Sequence, residues 1–562
     1  MASIVNYSPQ GIIDNAMFNY DATVVSNFRL SGPISVSISS PFLYSQYTNG
    51  YGNDITWTPN IPSVYWNATQ ASNLVAILDT YKQFINISLT PPVDNTQYSP
   101  AGVGLLTTSD INISLIYRSD LPFSGISSAN INLYNYLGSQ LDILINLAQL
   151  GSTDFSLGPT TNGFHTLMHE LGHSFGLSHP HSAYNSITGA ITLTSDFSAT
   201  TLIGMNKLGF VINSASDMYK EYFTIMSYDD ERPINGVDTY AQTPMILDVI
   251  ALQDAYGAGG GTSGNGNDTI TVGGTGVNAY RTYFDTGGID TINLVNYSSG
   301  VYLHMGTTIL GASHLVGVSM SMADHQLMVS GGSPQSLRWF YGEYENATGS
   351  AGSDYIIGNG LNNAITATSG NDTIDGGGGI DTVIFGAKLS EFTGTIGTQT
   401  VIQDNILSRY GKETFTNIER LKFTDTSLAL DISKDQTAGS SYMLYKAAFN
   451  RAPDTPGLGF WINKMDGGMS YNTVAQNFIN SAEFKAAYGG SNPSVNTLVT
   501  KLYNNVLIRN PDSPGLAFWQ EKLTTGGWTV ADVLGYFATS NENVANVSSL
   551  IANGIPYQEW VG

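Results

Sequence analysis

Five of the chain's eight histidines fall between His165 and His181, in the stretch HTLMHELGHSFGLSHPH. Within it His169, Glu170, His173, Gly176 and His179 fit the pattern H-E-x-x-H-x-x-G-x-x-H. Residues four apart share a helix face, so His169 and His173 can turn their imidazoles toward one metal ion. Gly176 is where such a helix would end, because glycine tolerates the left-handed geometry that turns the chain. The turn would bring His179 round as a third ligand. Three histidines suit Zn²⁺ and leave a position for water. Glu170 sits beside a ligand on an adjacent face, placed to hold and deprotonate that water. The five-residue H-E-x-x-H occurs by chance, whereas the eleven-residue form is specific. His165, one turn before His169, and His181, after Pro180, are expected to be pocket-wall or surface histidines.

Elements must hold these groups. From Phe164 the apolar residues Phe164, Leu167, Met168, Leu171 and Phe175 follow helical spacing. The segment from Asn67 to Asn86 puts Leu74, Ile77, Leu78, Tyr81, Phe84 and Ile85 on one helical face. From Asp110 to Leu115 polar and apolar residues alternate, which suits a half-buried strand. Past Gly257 the composition turns glycine-rich as far as Gly386, and from Lys434 it changes again to helix-forming segments with paired tryptophans. The expected domains are residues 1–257, 258–432 and 433–562.

HELGHSFGLSHP followed by TIMSY, Thr224 to Tyr228, resembles the serralysin branch of the metzincin metalloproteases. AQTPMILDVIALQDAYGA, Ala241 to Ala258, is similar to the helix that closes serralysin catalytic domains. The likeness covers residues 25–430, with Met205 to Tyr222 longer than the family's pattern. The resemblance implies an α+β catalytic domain with zinc on His169, His173 and His179. It implies that Met226 forms an apolar floor beneath the imidazoles. It also implies that Tyr228 approaches the zinc and swings to hydrogen-bond the oxyanion during turnover.

Residues 348–383 align with themselves at nine residues: TGSAGSDYI, IGNGLNNAI, TATSGNDTI, DGGGGIDTV. Asp354, Asn363, Asp372 and Asp381 stand nine apart, as do Ile356, Ile365, Ile374 and Val383. This resembles the calcium-binding nonapeptide of RTX proteins. Glycines make the turns, each short strand stacks its apolar residue inward, and Ca²⁺ relieves the repulsion of stacked carboxylates. The expected ligands are Asp354, Asp372 and Asp381, with Asp268 and Asp290 in earlier fragments of the same kind. A parallel β-roll or β-sandwich is expected, its folding coupled to calcium. By resemblance this suits type I secretion from a Gram-negative bacterium.

LYKAAFNRAPDTPGLGFW, Leu444 to Trp461, returns as LYNNVLIRNPDSPGLAFW, Leu502 to Trp519. Each copy reads as a helix, a Pro-Asp-x-Pro-Gly turn and a second helix, with Leu458, Phe460, Trp461, Leu516, Phe518 and Trp519 packing the pair. It resembles a helical domain of unknown function appended to secreted bacterial enzymes and surface proteins. An all-α domain with a role at a cell surface or polymer is expected.

The net charge of −23 argues against nucleic acid or anionic membranes as partners, because both need a basic patch. With no cysteine, disulfides and thiolate chemistry are excluded. No apolar run is long enough for a membrane span, and MASIVNYSPQ is not expected to be a classical signal peptide. The expectation is a multidomain, secreted zinc endopeptidase acting on proteins or peptides through a Glu170-activated, zinc-bound water, with Zn²⁺ and Ca²⁺ as cofactors. The alternative is a surface-associated or adhesion protein whose protease domain serves self-processing or is inactive.

Overall fold

The computed structural model describes residues 3–6, 28–39, 47–48, 54–55, 66–94, 110–116, 125–127, 141–146, 149–150, 161–177, 179, 184–185, 190–191, 205–212, 217–218, 220–227, 240–262, 264–273, 280–309 and 315–562. Tyr228 and His181 lie outside the described residues. The chain gathers into two compact units, Met1–Tyr297 with Val301–Tyr344, and Ser298–Gly300 with Glu345–Gly562.

The first unit is built on a five-stranded sheet. Its strands are β1 (Ile34–Ser39), β2 (Leu89–Asp94), β3 (Ile111–Ile116), β4 (Gly125–Ser127) and β5 (Leu141–Asn146). They lie in the order β2-β1-β3-β5-β4, all parallel to their neighbours except β4. Ile111, Ile113 and Leu115 are fully buried, as alternation requires, but Asn112 is buried too. The half-buried strand expected there is in fact the central one, covered on both faces.

Helix α1 (Ala68–Phe84) starts at a capping box. Asn67 Oδ1 accepts the Gln70 N–H at 2.9 Å, and Gln70 Oε1 accepts the Asn67 N–H at 3.0 Å. Its apolar stripe of Leu74, Ile77, Leu78, Tyr81 and Phe84 is buried. Helices α2 (Asn162–Ser174) and α3 (Ile246–Tyr256) both pack against α1. Helix α2 is buried almost throughout its length and also lies on β4 and β5.

A second sheet in this unit orders Tyr280–Phe284, Leu337–Tyr341, Leu315–Ser321 and Val301–Thr308. Trp339 at its centre is fully buried against Phe210 and Phe223, and its indole N–H donates to Tyr222 O at 2.6 Å.

The second unit opens with two flights of short parallel strands. One orders Asn346–Thr348, Ala364–Thr366, Thr382–Ile384 and Arg420–Lys422, then the antiparallel Ser427–Ala429 and Ile555–Tyr557. The other orders Tyr355–Ile357, Thr373–Asp375 and Lys412–Thr416, then the antiparallel Thr400–Asp404 and Phe392–Thr395. Successive nonapeptides alternate between the flights, so Ile356 pairs with Ile374 and Ile365 with Val383. All four side chains are buried.

The C-terminal region is helical. Its first repeat gives Thr437–Phe449 and Thr455–Asp466. The second gives Val495–Leu502, continued by a π-helical turn over Tyr503–Leu507, and Ser513–Thr524. Asp454 and Asp512 cap the second helix of each pair through Gly457 N–H and Gly515 N–H, both at 2.8 Å. Leu458 and Trp519 are buried as expected. Phe518 is not, being 49% exposed, because its neighbour Trp519 takes the inward position on that helix.

Candidate metal centre

Helix α2 delivers two of the three histidines and its C-terminal turn delivers the third. Thr161 caps the helix through Phe164 N–H at 3.2 Å. At the other end Gly176 adopts φ +104°, its N–H donating to His173 O, while Leu177 N–H donates to Gly172 O at 3.0 Å. This is a Schellman turn, and it reverses the chain so that His179 faces the helix.

His179 Nε2 lies 3.1 Å from both His169 Nε2 and His173 Nε2. Each helical imidazole is held from behind. His169 Nδ1–H donates to Ile225 O at 2.7 Å, and His173 Nδ1–H donates to Leu177 O at 2.7 Å. Those bonds fix the tautomer and aim the Nε2 lone pairs at one point. Burial and the neighbouring His169 hold His173 well below the usual imidazole range, so it offers a neutral nitrogen. Lone pairs this close repel unless a cation lies between them. Tetrahedral zinc with bonds of about 2.0–2.1 Å would set nitrogens roughly 3.3 Å apart, so donor type and spacing both fit that ion.

Glu170 is buried on the same helix between the two ligands. Met226 is fully buried, and a Cβ built on Gly172 would come within 2.9 Å of its Sδ. The absence of a side chain at Gly172 is what lets Met226 reach the helix one residue before His173. Tyr81 of α1 braces the same turn, its hydroxyl donating to Met168 O at 2.7 Å.

Two positioning groups escaped the sequence reading. Asp248 of α3, fully buried, accepts Thr224 Oγ1–H at 2.6 Å and the N–H groups of Ile225 and Met245 at 2.8 Å. Burial raises its carboxyl to about 7 against the opposing pull of those donors. A lone acid inside the apolar run MILDVIAL was the available signal, since buried carboxylates need donors. The other is Glu221, whose Oε1 lies 3.3 Å from His165 Nε2. His165 therefore belongs to a buried pair.

The five aspartates do not gather at one point. Asp268 and Asp290 lie in the first unit, where Asp268 N–H donates to Asp290 Oδ1 at 2.8 Å. Asp285 joins them, raised to about 7 by burial and by Asp290 beside it. In the second unit Asp354 N–H donates to Asp372 Oδ1 at 2.9 Å on one flight, and Asn363 N–H to Asp381 Oδ1 at 2.7 Å on the other. Burial raises Asp372 and Asp381 to about 7. Asp268 Oδ2 and Asp381 Oδ2 are buried and accept no hydrogen bond. Buried carboxylate oxygens left over in this way, on turns rich in backbone carbonyls, fit a hard cation with oxygen ligands.

The helical region holds a cavity of about 770 Å³, lined by Tyr471, Asn472, Trp528, Asp532 and Tyr536 among others.

The chain is 29% identical over 214 residues to "Metallopeptidase AprA" of Pseudomonas marginalis, covering 36% of this chain and 39% of that one. It is 23% identical over 370 residues to "Serralysin" of Proteus mirabilis, covering 61% and 63%. With "Serralysin A" of Dickeya chrysanthemi it shares 27% over 308 residues, covering 52% and 54%. The likeness supports a serralysin-like protease family. The matches span less than two thirds of each relative's length. A family model described as "Domain of unknown function (DUF4214)" matches residues 437–488 and 475–547. Among the described residues no helix is long and apolar enough to cross a membrane.

Proposed function

We propose that the chain is a secreted zinc-dependent endopeptidase of the serralysin type. The observation that carries this is the convergence of His169, His173 and His179, two of them pinned through Nδ1, on a helix that also presents Glu170. The three imidazoles would hold zinc. Bound there, zinc would polarise a scissile carbonyl and lower the pKa of water toward neutrality. Glu170 takes the proton from the attacking water and passes it to the leaving amine. Tyr228 donates a hydrogen bond to the developing oxyanion, the role the family resemblance gives it. Gly176 and Met226 are structural: the one turns the chain to His179, the other supports α2.

Residues 1–257 form the catalytic domain in this reading. Residues 258–432 form an RTX β-roll that folds on binding calcium through Asp268, Asp290, Asp354, Asp372 and Asp381. Residues 433–562 form the helical domain. Calcium-coupled folding suits export in an unfolded state from a Gram-negative cell, with closure outside. Aromatic and amide groups around the cavity of the helical domain favour an added contact with a cell surface or polymer. Tyr536→Ala would then release the chain from the surface without changing its peptidase rate.

Metal analysis tests the centre independently of turnover. The purified chain should carry one zinc, and His173→Ala should lose it. A full zinc complement in His173→Ala would reject the ligand set.

A further inference from the structure

Glu413 lies outside the nonapeptides, beyond the hairpin of Phe392–Thr395 and Thr400–Asp404. In its strand, Glu413 and Phe415 turn inward and are buried at 0% and 1% exposure. The strand register places Glu413 as the next rung of the Asp354–Asp372 stack. Thr373, which follows Asp372, pairs with Thr414, which follows Glu413. The backbone repeats the relation: Thr373 N–H donates to Asp354 O and Thr414 N–H to Asp372 O, both at 2.9 Å.

Both carboxylate oxygens of Glu413 are buried and accept no hydrogen bond. Thr368 Oγ1 is likewise buried without a partner, beside Asp354 where Gly349 leaves room. Burial first, then the negative charges of Asp372, Asp354 and Asp404, push Glu413 to about 10 against the opposing pull of the Asp372 N–H. Asp404 is itself paired with Arg409 at 2.8 Å. A buried carboxylate with no counter-ion, and only the Asp372 N–H to pull it down, is costly to keep charged. Here it faces two more carboxylates. Protons or a hard divalent cation can settle that arrangement, and an all-oxygen set of carboxylates, a hydroxyl and turn carbonyls suits calcium.

We propose that Glu413 is a calcium ligand that, with Asp372 and Asp354, closes a site the nonapeptides leave incomplete. The hairpin takes the place of a missing repeat and returns the chain with a longer acid at the rung. Calcium then orders the strand Lys412–Thr416 as well as the repeats. This rests on the calcium reading of the repeats given above.

The test is equilibrium dialysis of calcium against the full chain, comparing wild type, Glu413→Gln and the exposed neighbour Lys412→Gln, with thermal unfolding in chelator and in calcium. Glu413→Gln should bind one calcium fewer per chain, or one at least tenfold more weakly, while Lys412→Gln matches wild type. In chelator Glu413→Gln should melt no lower than wild type, because glutamine is buried neutral without the proton uptake that Glu413 needs. In calcium it should melt lower. A merely structural glutamate would lower the melting temperature in both. If wild type binds calcium and Glu413→Gln binds the same number equally tightly, the assignment of Glu413 falls and the repeat reading stands. If wild type binds no calcium, both fall.

Discussion

His169 donates its Nδ1–H to the carbonyl of Ile225, and the N–H of the same Ile225 donates to Asp248. One residue thus links the first zinc-binding candidate to a buried carboxylate on α3. The segment bearing Met226 is held on both sides, by α2 and by α3.

Asp248→Ala leaves Thr224 Oγ1–H and two backbone N–H groups without an acceptor. A loss of about 3 kcal/mol in stability is expected. Zinc affinity should fall about 10–100-fold as Ile225 O loses its position. Urea unfolding and competitive zinc titration measure the two effects. Asp248→Asn keeps one acceptor oxygen and should lose less in both.

Gly172→Ala tests the close approach of Met226. The added methyl would lie 2.9 Å from the sulfur and 3.3 Å from the Tyr81 hydroxyl oxygen, so α2 or Met226 must move. Overpacking of this kind costs about 1–3 kcal/mol. The double variant Gly172→Ala, Met226→Ala should recover part of the loss, read by thermal unfolding.

Ile508 sits at φ +54°, a β-branched residue in left-handed geometry, and is 82% exposed. The corresponding residue of the first repeat is Asn450 at φ +52°. Asparagine tolerates this conformation and isoleucine does not. Ile508→Asn should therefore raise stability by about 1 kcal/mol, seen as a higher denaturant midpoint.

Without calcium, the second unit should lose stability as pH rises. Burial raises Asp372 and Asp381 to about 7 and Glu413 to about 10. The folded state then keeps protons that the unfolded chain releases. Their stabilisation is fully present below the unfolded value of about 4 and is lost as pH rises through about 7 for the aspartates. For Glu413 the decline continues toward 10. A shift of about three units is worth at most ~4 kcal/mol. Calcium takes the place of the protons, so the decline should vanish in millimolar calcium. Denaturant midpoints at about pH 5 and about pH 8, with and without chelator, measure it.

Local chemistry made much of this legible in sequence. The spacing of His169, His173 and Gly176 contains the helix, its end and the turn to His179. The nine-residue register of Ile356, Ile365, Ile374 and Val383 contains the alternation between flights. Distant partners were not legible. Asp248 meets Ile225 across 23 residues and His169 meets Ile225 across 56, and no local periodicity records such pairs. Glu413 was hidden because the hairpin before it breaks the nine-residue count. Asn112 looked solvent-facing because alternation alone cannot tell a central strand from an edge.

The most direct test is cleavage of casein by the calcium-loaded full chain, run as wild type, wild type with a zinc chelator, and Glu170→Gln. The expected result is cleavage by wild type that falls at least ~100-fold in both controls, with Glu170→Gln still holding one zinc. Cleavage by zinc-loaded Glu170→Gln at the wild-type rate would contradict the account, as would a zinc-loaded wild type that leaves casein intact.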